Sequence, residues 1–130
     1  MKVVFYIIGL VVLLIAGYIA YLAATYIDES VAVGSAYEFE IGSPKKQSFD
    51  DIKKLLNQYP HLVIYYSFGS KAGDYEIVLP IENEYSKIDP QDRWTLLLDG
   101  DGEFFNVIVL SFEENKLIKI YRHRKYFELP

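Results

Sequence analysis

The sequence predicts an α+β protein: an N-terminal single transmembrane helix followed by a small antiparallel β-sheet domain with one helix packed on a face. Three observations predict it. An uncharged apolar run opens the chain, one stretch carries apolar residues at helical spacing, and after Pro60 apolar segments recur between turn residues.

The opening run, Val3 to Ile27, is 25 residues without a charge. As a helix it is about 37 Å long, against a hydrocarbon core of about 30 Å, so it spans with some tilt. A cleaved signal peptide is the rival reading. Its apolar stretch is normally about 7–15 residues followed by a small-x-small site. Here the run is longer, and Ala23-Ala24-Thr25 is a poor cleavage site. The reading is therefore an uncleaved anchor over residues 1–29 and a domain over 30–130. Lys2 precedes the run while Asp28 and Glu29 follow it, which places the N-terminus in the cytoplasm and the domain outside; Lys45 and Lys46 weaken that assignment. Ala16, Ala20 and Ala24 recur every four residues, a spacing that lets two helices approach and would permit a homodimer.

Ser30 to Gly34 reads as a short linker, and Ala36 to Ile41 as a strand placing Tyr37, Phe39 and Ile41 on one side. Ser48, with Asp51 three residues on, reads as the start of a helix with Phe49, Ile52, Leu55, Leu56 and Tyr59 as its apolar stripe; Pro60 ends it. Strands then follow at Leu62–Phe68, Tyr75–Ile81, Arg93–Leu98, Glu103–Phe112 and Lys116 to about Tyr126, separated by turns rich in Gly, Asp and Asn. Tyr75, Ile77, Leu79 and Ile81 share a face, and Pro80 marks an edge or a strand end. Phe104 to Leu110 is apolar on both faces, so its strand is expected to be central and covered twice.

Composition excludes several functions. The chain has no cysteine, which removes disulfides, thiolate catalysis and cysteine-ligated metals. Its net charge of −5 argues against nucleic acid as a partner. Twelve tyrosines and eight phenylalanines suit both a β core and a binding surface. Asp99-Gly-Asp101-Gly-Glu103 has oxygen ligands at alternate positions, as calcium loops do, but lacks the later bidentate glutamate and is explained as a hairpin turn. His61 and His123 show no ligand spacing, and Ser70-Lys71 lacks any nucleophile elbow. No cofactor, no metal and no catalytic centre is expected.

Charge distribution carries more information. Asp74, Glu76, Glu82, Glu84, Asp89, Asp92, Asp99, Asp101 and Glu103 stand against Lys87 and Arg93, whereas Lys116, Lys119, Arg122, Arg124 and Lys125 include no acid among them. An acidic surface interleaved with Tyr75, Tyr85 and Trp94 suits a basic protein partner, and the basic strand suits anionic lipid headgroups. The alternative is that the two segments neighbour each other in the sheet and neutralise one another. The expected contact residues are Tyr75, Glu82, Glu84, Tyr85, Asp89, Asp92 and Trp94.

A small, acidic, tyrosine-rich α+β domain on a membrane tether resembles, in format, the immunity proteins that protect bacteria from toxins of neighbouring cells. The resemblance implies a non-enzymatic module that holds a toxin inactive by direct binding, and it assigns no residue a role. The competing expectation is an accessory subunit of an envelope complex, assembled through the Ala16, Ala20 and Ala24 face.

Overall fold

The computed structural model describes residues 1–100 and 106–125. Its first element is the helix α1 (Lys2–Thr25), of which no residue is buried. It is long and apolar enough to cross a membrane. Tyr26 alone separates it from β1 (Ile27–Val31). β2 (Ser35–Ala36) and β3 (Phe39–Glu40) form a small hairpin, followed by α2 (Lys45–Leu55). Then come β4 (Val63–Ser67), β5 (Tyr75–Val78), the short helix α3 (Tyr85–Ile88), β6 (Arg93–Leu97), β7 (Asn106–Glu113) and β8 (Lys116–Arg124). Six strands make one antiparallel sheet in the order β1-β8-β7-β6-β4-β5.

The architecture is α+β with an N-terminal apolar helix, and among the described residues five strands follow Pro60 as expected. β5, however, ends at Val78 rather than Ile81, and the expected polar loop contains the short helix α3. Residues 103–105 and 126 of the expected strands lie outside the described residues. β5 is an edge strand that stops two residues before Pro80. β7 is central, between β6 and β8. Glu114 and Asn115 adopt positive φ between β7 and β8, the mirror-image turn whose twist matches that of paired strands.

Three further expectations fail. Residues 30–34 are not wholly a linker: Ile27–Val31 pairs with β8 from Ile27↔Arg124 to Val31↔Ile120. The sheet therefore begins at Ile27, inside the expected anchor segment. Ala36–Ile41 is not one strand, because Tyr37 and Glu38 take φ of 53° and 73° and fold it into a hairpin. Tertiary contacts oppose the strain of two side chains at positive φ. The Tyr37 hydroxyl donates to Glu29, and its ring lies under the Arg122 guanidinium at 5.8 Å. Finally, Ser48 does not cap α2. The helix starts three residues earlier because Gly42–Lys45 is pinned to the start of β8: Gly42 N donates to Leu117 O, Leu117 N to Ser43 O and Lys45 N to Asn115 O. The last of these satisfies a helix N–H that would otherwise lack a partner.

The main core lies between the sheet and α2 with α3. Phe49, Ile52 and Leu55 of α2 and Ile88 of α3 meet Ile64, Trp94, Leu96, Ile108, Leu110 and Ile120 of the sheet. Trp94 is fully buried, its ring 4.5 Å from that of Phe112 and its indole N–H donating to the carbonyls of both Ile88 and Gln91 at 3.0 Å. A buried arginine stitches the sheet: Arg122 donates to the carbonyls of Val107 and His123 and to Asn106 Oδ1, and Asn106 in turn donates to Asp99.

Ser48 Oγ is buried with no hydrogen-bond partner among the described residues. Removing a buried, unsatisfied hydroxyl inside a helix relieves its desolvation cost and improves helix propensity. Ser48→Ala is therefore expected to stabilise the domain by about 1 kcal/mol, read by urea unfolding. Trp94→Phe is expected to cost about 1–3 kcal/mol by removing the indole hydrogen bonds to Ile88 and Gln91 and leaving a void in the core. A destabilised Ser48→Ala would mean the hydroxyl has a partner after all.

Candidate functional site

The surface expected to carry the partner is split by the fold. Glu82, Glu84, Tyr85, Asp89 and Asp92 gather around α3 and the start of α2. Tyr75 lies on the opposite face of the sheet, and Trp94 lies in the core and presents no surface at all. The alternation of strand β6 explains Trp94: Trp94 and Leu96 point to the helices, Arg93 and Thr95 away from them.

The gathered acids are engaged by lysines of α2 and α3. Glu82 takes ion pairs from Lys46 and Lys53, Asp92 pairs with Lys45 at 2.9 Å, and Glu84 pairs with Lys87 at 2.7 Å. Asp89 accepts from the Tyr85 hydroxyl at 2.9 Å, while its carbonyl accepts from Lys45 Nζ at 2.7 Å. Lys45 itself is buried, so this bond and its pair with Asp92 tie α2 to the segment before β6. Tyr85 is half-buried, tilted against Phe49 at 5.1 Å and with Lys46 Nζ 4.9 Å over its ring. Burial first, and then donation to Asp89, push its hydroxyl up to about 12. The acids are thus answered by helix lysines rather than by β8, from which β6 is separated by β7. The basic strand instead lies across from β1, with Asp28 opposite His123 and Glu29 opposite Arg122.

The helices cover one face of the sheet, and the other stands open. On that face Leu97, Val107 and Val109 are buried against Val63, Tyr65 and Tyr121. β7 is therefore buried on both sides, its second cover being neighbouring side chains of the sheet rather than a helix. These residues floor a concavity of about 380 Å³ lined by Tyr65, Arg93, Thr95, Val109, Tyr121 and His123. A second hollow of about 270 Å³ shares Arg93, Val109 and Tyr121 with it and extends to Ser30, Ser111 and Lys119. Tyr65 packs on Tyr75 at 5.2 Å along one wall, and Tyr121 stacks on His123 at 6.3 Å along the other. Next to them the free edge strand β5 exposes Tyr75 (48%), Ile77 (37%) and, just beyond its end, Leu79 (53%).

The charges here are uneven. Arg93 and Lys119 are exposed and make no hydrogen bond or ion pair among the described residues. Asp28 and, by strand alternation, Glu113 also lie on this side; Asp28 accepts hydrogen bonds first from Tyr121 and then from Tyr26, which hold its carboxyl below the usual range, and the same bond raises the Tyr121 hydroxyl. That Arg93, Thr95, Lys119 and Tyr121 share one face escaped the sequence reading, because it follows from strand order, which periodicity within each strand does not reveal.

The remaining candidates resolve as follows. Of the calcium-like loop, Asp101 and Glu103 lie outside the described residues, and Asp99 accepts from Asn106 Nδ2 at 2.9 Å. His61 precedes β4 and His123 lies in β8. Three inter-strand spacings, about 14 Å, separate those strands, too far for one ion. Among the described residues no group of three or more His, Asp or Glu side chains is placed to hold a metal. Ser70 and Lys71 are exposed in the β4–β5 loop, where the Lys71 N–H donates to Asp74. A polar hollow of about 480 Å³ between the β2–β3 hairpin and α2 includes Asp51, paired with Lys54 at 2.8 Å. No protein-family model, curated protein or solved structure matches this chain, so its site is read from its own geometry.

The Glu82 network yields a pH prediction. Hydrogen bonds from Lys46 and then Lys53 hold the Glu82 carboxyl down to about 2. Because folding lowers this pKa, the contribution is complete above the ordinary glutamate range and is lost as the pH falls toward 2. Urea titrations of the wild type across that acid range should show a stability slope that Glu82→Gln flattens and added salt weakens. Equal slopes in the two proteins would show that the network adds nothing.

Proposed function

We propose that this chain is a membrane-anchored protein-binding module, inserted through residues 3–27, that presents its uncovered sheet face to a protein partner at the bilayer surface. The observation that carries the reading is that face: an apolar floor between tyrosine walls, with Arg93 and Lys119 unanswered in charge and a free strand edge alongside. Aromatic side chains and arginine in a concave, partly desolvated setting are the residue types that carry binding energy. The unpaired charges favour a partner segment that is acidic, or mixed acidic and apolar, over the basic one the sequence suggests.

The anchor is supported by α1. A soluble core helix would be covered by its own domain, whereas this one is not buried anywhere along its length. Solvating a helix of about 36 Å that carries no charge after Lys2 calls for lipid or other apolar helices. In this reading the N-terminus is cytoplasmic and the domain extracytoplasmic. Anchoring raises the effective concentration of the module against anything that reaches the membrane. An immunity role, in which the bound partner is a toxin held inactive, is the form the overall format suggests.

A second reading, an accessory subunit assembled through α1, is favoured by the same bareness of the helix, on which Ala16, Ala20 and Ala24 offer a close-approach face. Variants separate the two. With a photo-crosslinker at Thr95 in native membranes, the binding module is expected to yield one discrete protein adduct, and the same probe at Lys54 none. Arg93→Glu should weaken that capture about tenfold or more, the loss typical of a hot-spot residue, and Ala20→Leu should leave it intact. The reverse pattern supports the accessory subunit. Release of the intact chain by alkaline carbonate would remove the anchor from both readings.

A further inference from the structure

The two edges of the sheet are unlike. β1 carries the adjacent acids Asp28 and Glu29, charges of the kind that keep an edge from pairing with another chain. β5 carries Tyr75, Ile77 and, just beyond its end, Leu79, all exposed. Its one acid, Glu76, accepts from the Tyr66 hydroxyl at 2.7 Å and pairs with Lys87 at 3.7 Å. Backbone register decides what this edge offers. Phe68 N donates to Asp74 O at 2.9 Å, which makes Phe68 and Asp74 a hydrogen-bonded pair. Antiparallel pairs alternate between bonded and non-bonded. Glu76 and Val78 therefore exchange bonds with Tyr66 and Ile64, while the N–H and C=O groups of Tyr75 and Ile77 point away from β4. Among the described residues no hydrogen bond reaches these outward groups. The Leu79 carbonyl, next in line, already accepts from Ile81 N at 2.8 Å, which closes the edge there.

An unpaired apolar edge is a template for one more strand. Resting on the protein-binding reading above, we infer that an extended segment of the partner adds antiparallel to β5, with apolar residues opposite Tyr75 and Ile77 and an uncharged residue opposite Glu76. Residues opposite Tyr75 and Ile77 exchange backbone bonds with them and set their own side chains on the same face. That face is the open one, where Tyr65 packs on Tyr75 and Leu97, Val107 and Val109 form the floor. The added strand thus lengthens the proposed binding surface instead of opening a separate one. Charge argues against a second copy of this chain as the occupant. Antiparallel self-pairing that uses every outward group sets Tyr75 of one copy opposite Ile77 of the other, and so brings two Glu76 side chains face to face. Like charges directly opposite are destabilising. Glu76 already has its cation in Lys87, so the residue that complements it across the new pairing is neutral.

The probe is a labelled heptapeptide in which valine alternates with threonine, valine standing at both ends. It is titrated by fluorescence anisotropy against the full chain in phosphatidylcholine nanodiscs, and saturable binding is expected. An added strand bonds to its neighbour through alternate residues only. N-methylation of the two inner valines should therefore weaken binding about tenfold or more, through the loss of a pair of backbone hydrogen bonds. N-methylation of the outer threonines should change it less than about twofold, because their N–H groups face water. Glutamate in place of the central threonine should weaken binding about threefold by facing Glu76. Ile77→Lys in the protein should weaken the unmodified peptide about tenfold, which locates the site on β5. Equal binding of the two methylated peptides overturns strand addition, as does a peptide that never saturates. Cross-linking of a photo-reactive residue at Ile77 to a second copy gives the edge to self-pairing and overturns it too. In each of these cases a partner still captured at Thr95 leaves the open-face reading standing. Absence of any adduct at Thr95 removes instead the reading on which the inference rests.

Discussion

One six-stranded sheet and two helices set the terms for this domain: the helices cover a single face, so the other must bury what it can with its own side chains. On the covered face α2 and α3 supply Phe49, Ile52, Leu55 and Ile88 to a core centred on Trp94, Leu96, Ile108 and Leu110. On the open face tyrosines perform that service, since their rings shield the valines of β7 while their hydroxyls stay wet or meet an acid. The surface we propose for binding is thus a by-product of the layer architecture, an apolar floor that neither α2 nor α3 reaches.

The same asymmetry organises charge. α2 carries four lysines, and each meets an acid: Lys45 with Asp92, Lys46 and Lys53 with Glu82, Lys54 with Asp51. Exposed pairs of this kind contribute little each, but they remove the acidic surface as a free electrostatic feature. Lys45 is the exception in depth, buried and bonded to both Asp92 and the Asp89 carbonyl. On the far side of the sheet, by contrast, Arg93 and Lys119 make no hydrogen bond or ion pair among the described residues.

The edge strand β1 joins the apolar helix to the domain. Its residues are mostly polar, as an edge strand tolerates, and its two acids stand opposite the histidine and arginine of β8. Because Arg124 also bonds the last helical carbonyl, the direction in which α1 leaves the domain is set by strand pairing rather than by a flexible linker. Any orientation of the open face relative to a bilayer follows from that joint.

By itself the sequence determined the local quantities: the uncharged helix, the apolar stripe of α2, the strands after Pro60, the turn at Glu114 and Asn115, and the edge position of β5. Each rests on periodicity or turn chemistry within a few residues, which physics enforces locally. It did not disclose β1, whose polar residues Asp28 and Glu29 make sense only opposite His123 and Arg122. Nor did it disclose the hairpin at Tyr37 and Glu38, which no glycine or asparagine advertises and which contacts to Glu29 and Arg122 hold in place. Tertiary structure alone decided the site, because strand order and register choose which residues share a face. That choice buried Trp94, set Tyr75 apart from Glu82, and brought Arg93, Tyr65 and Tyr121 together from three strands.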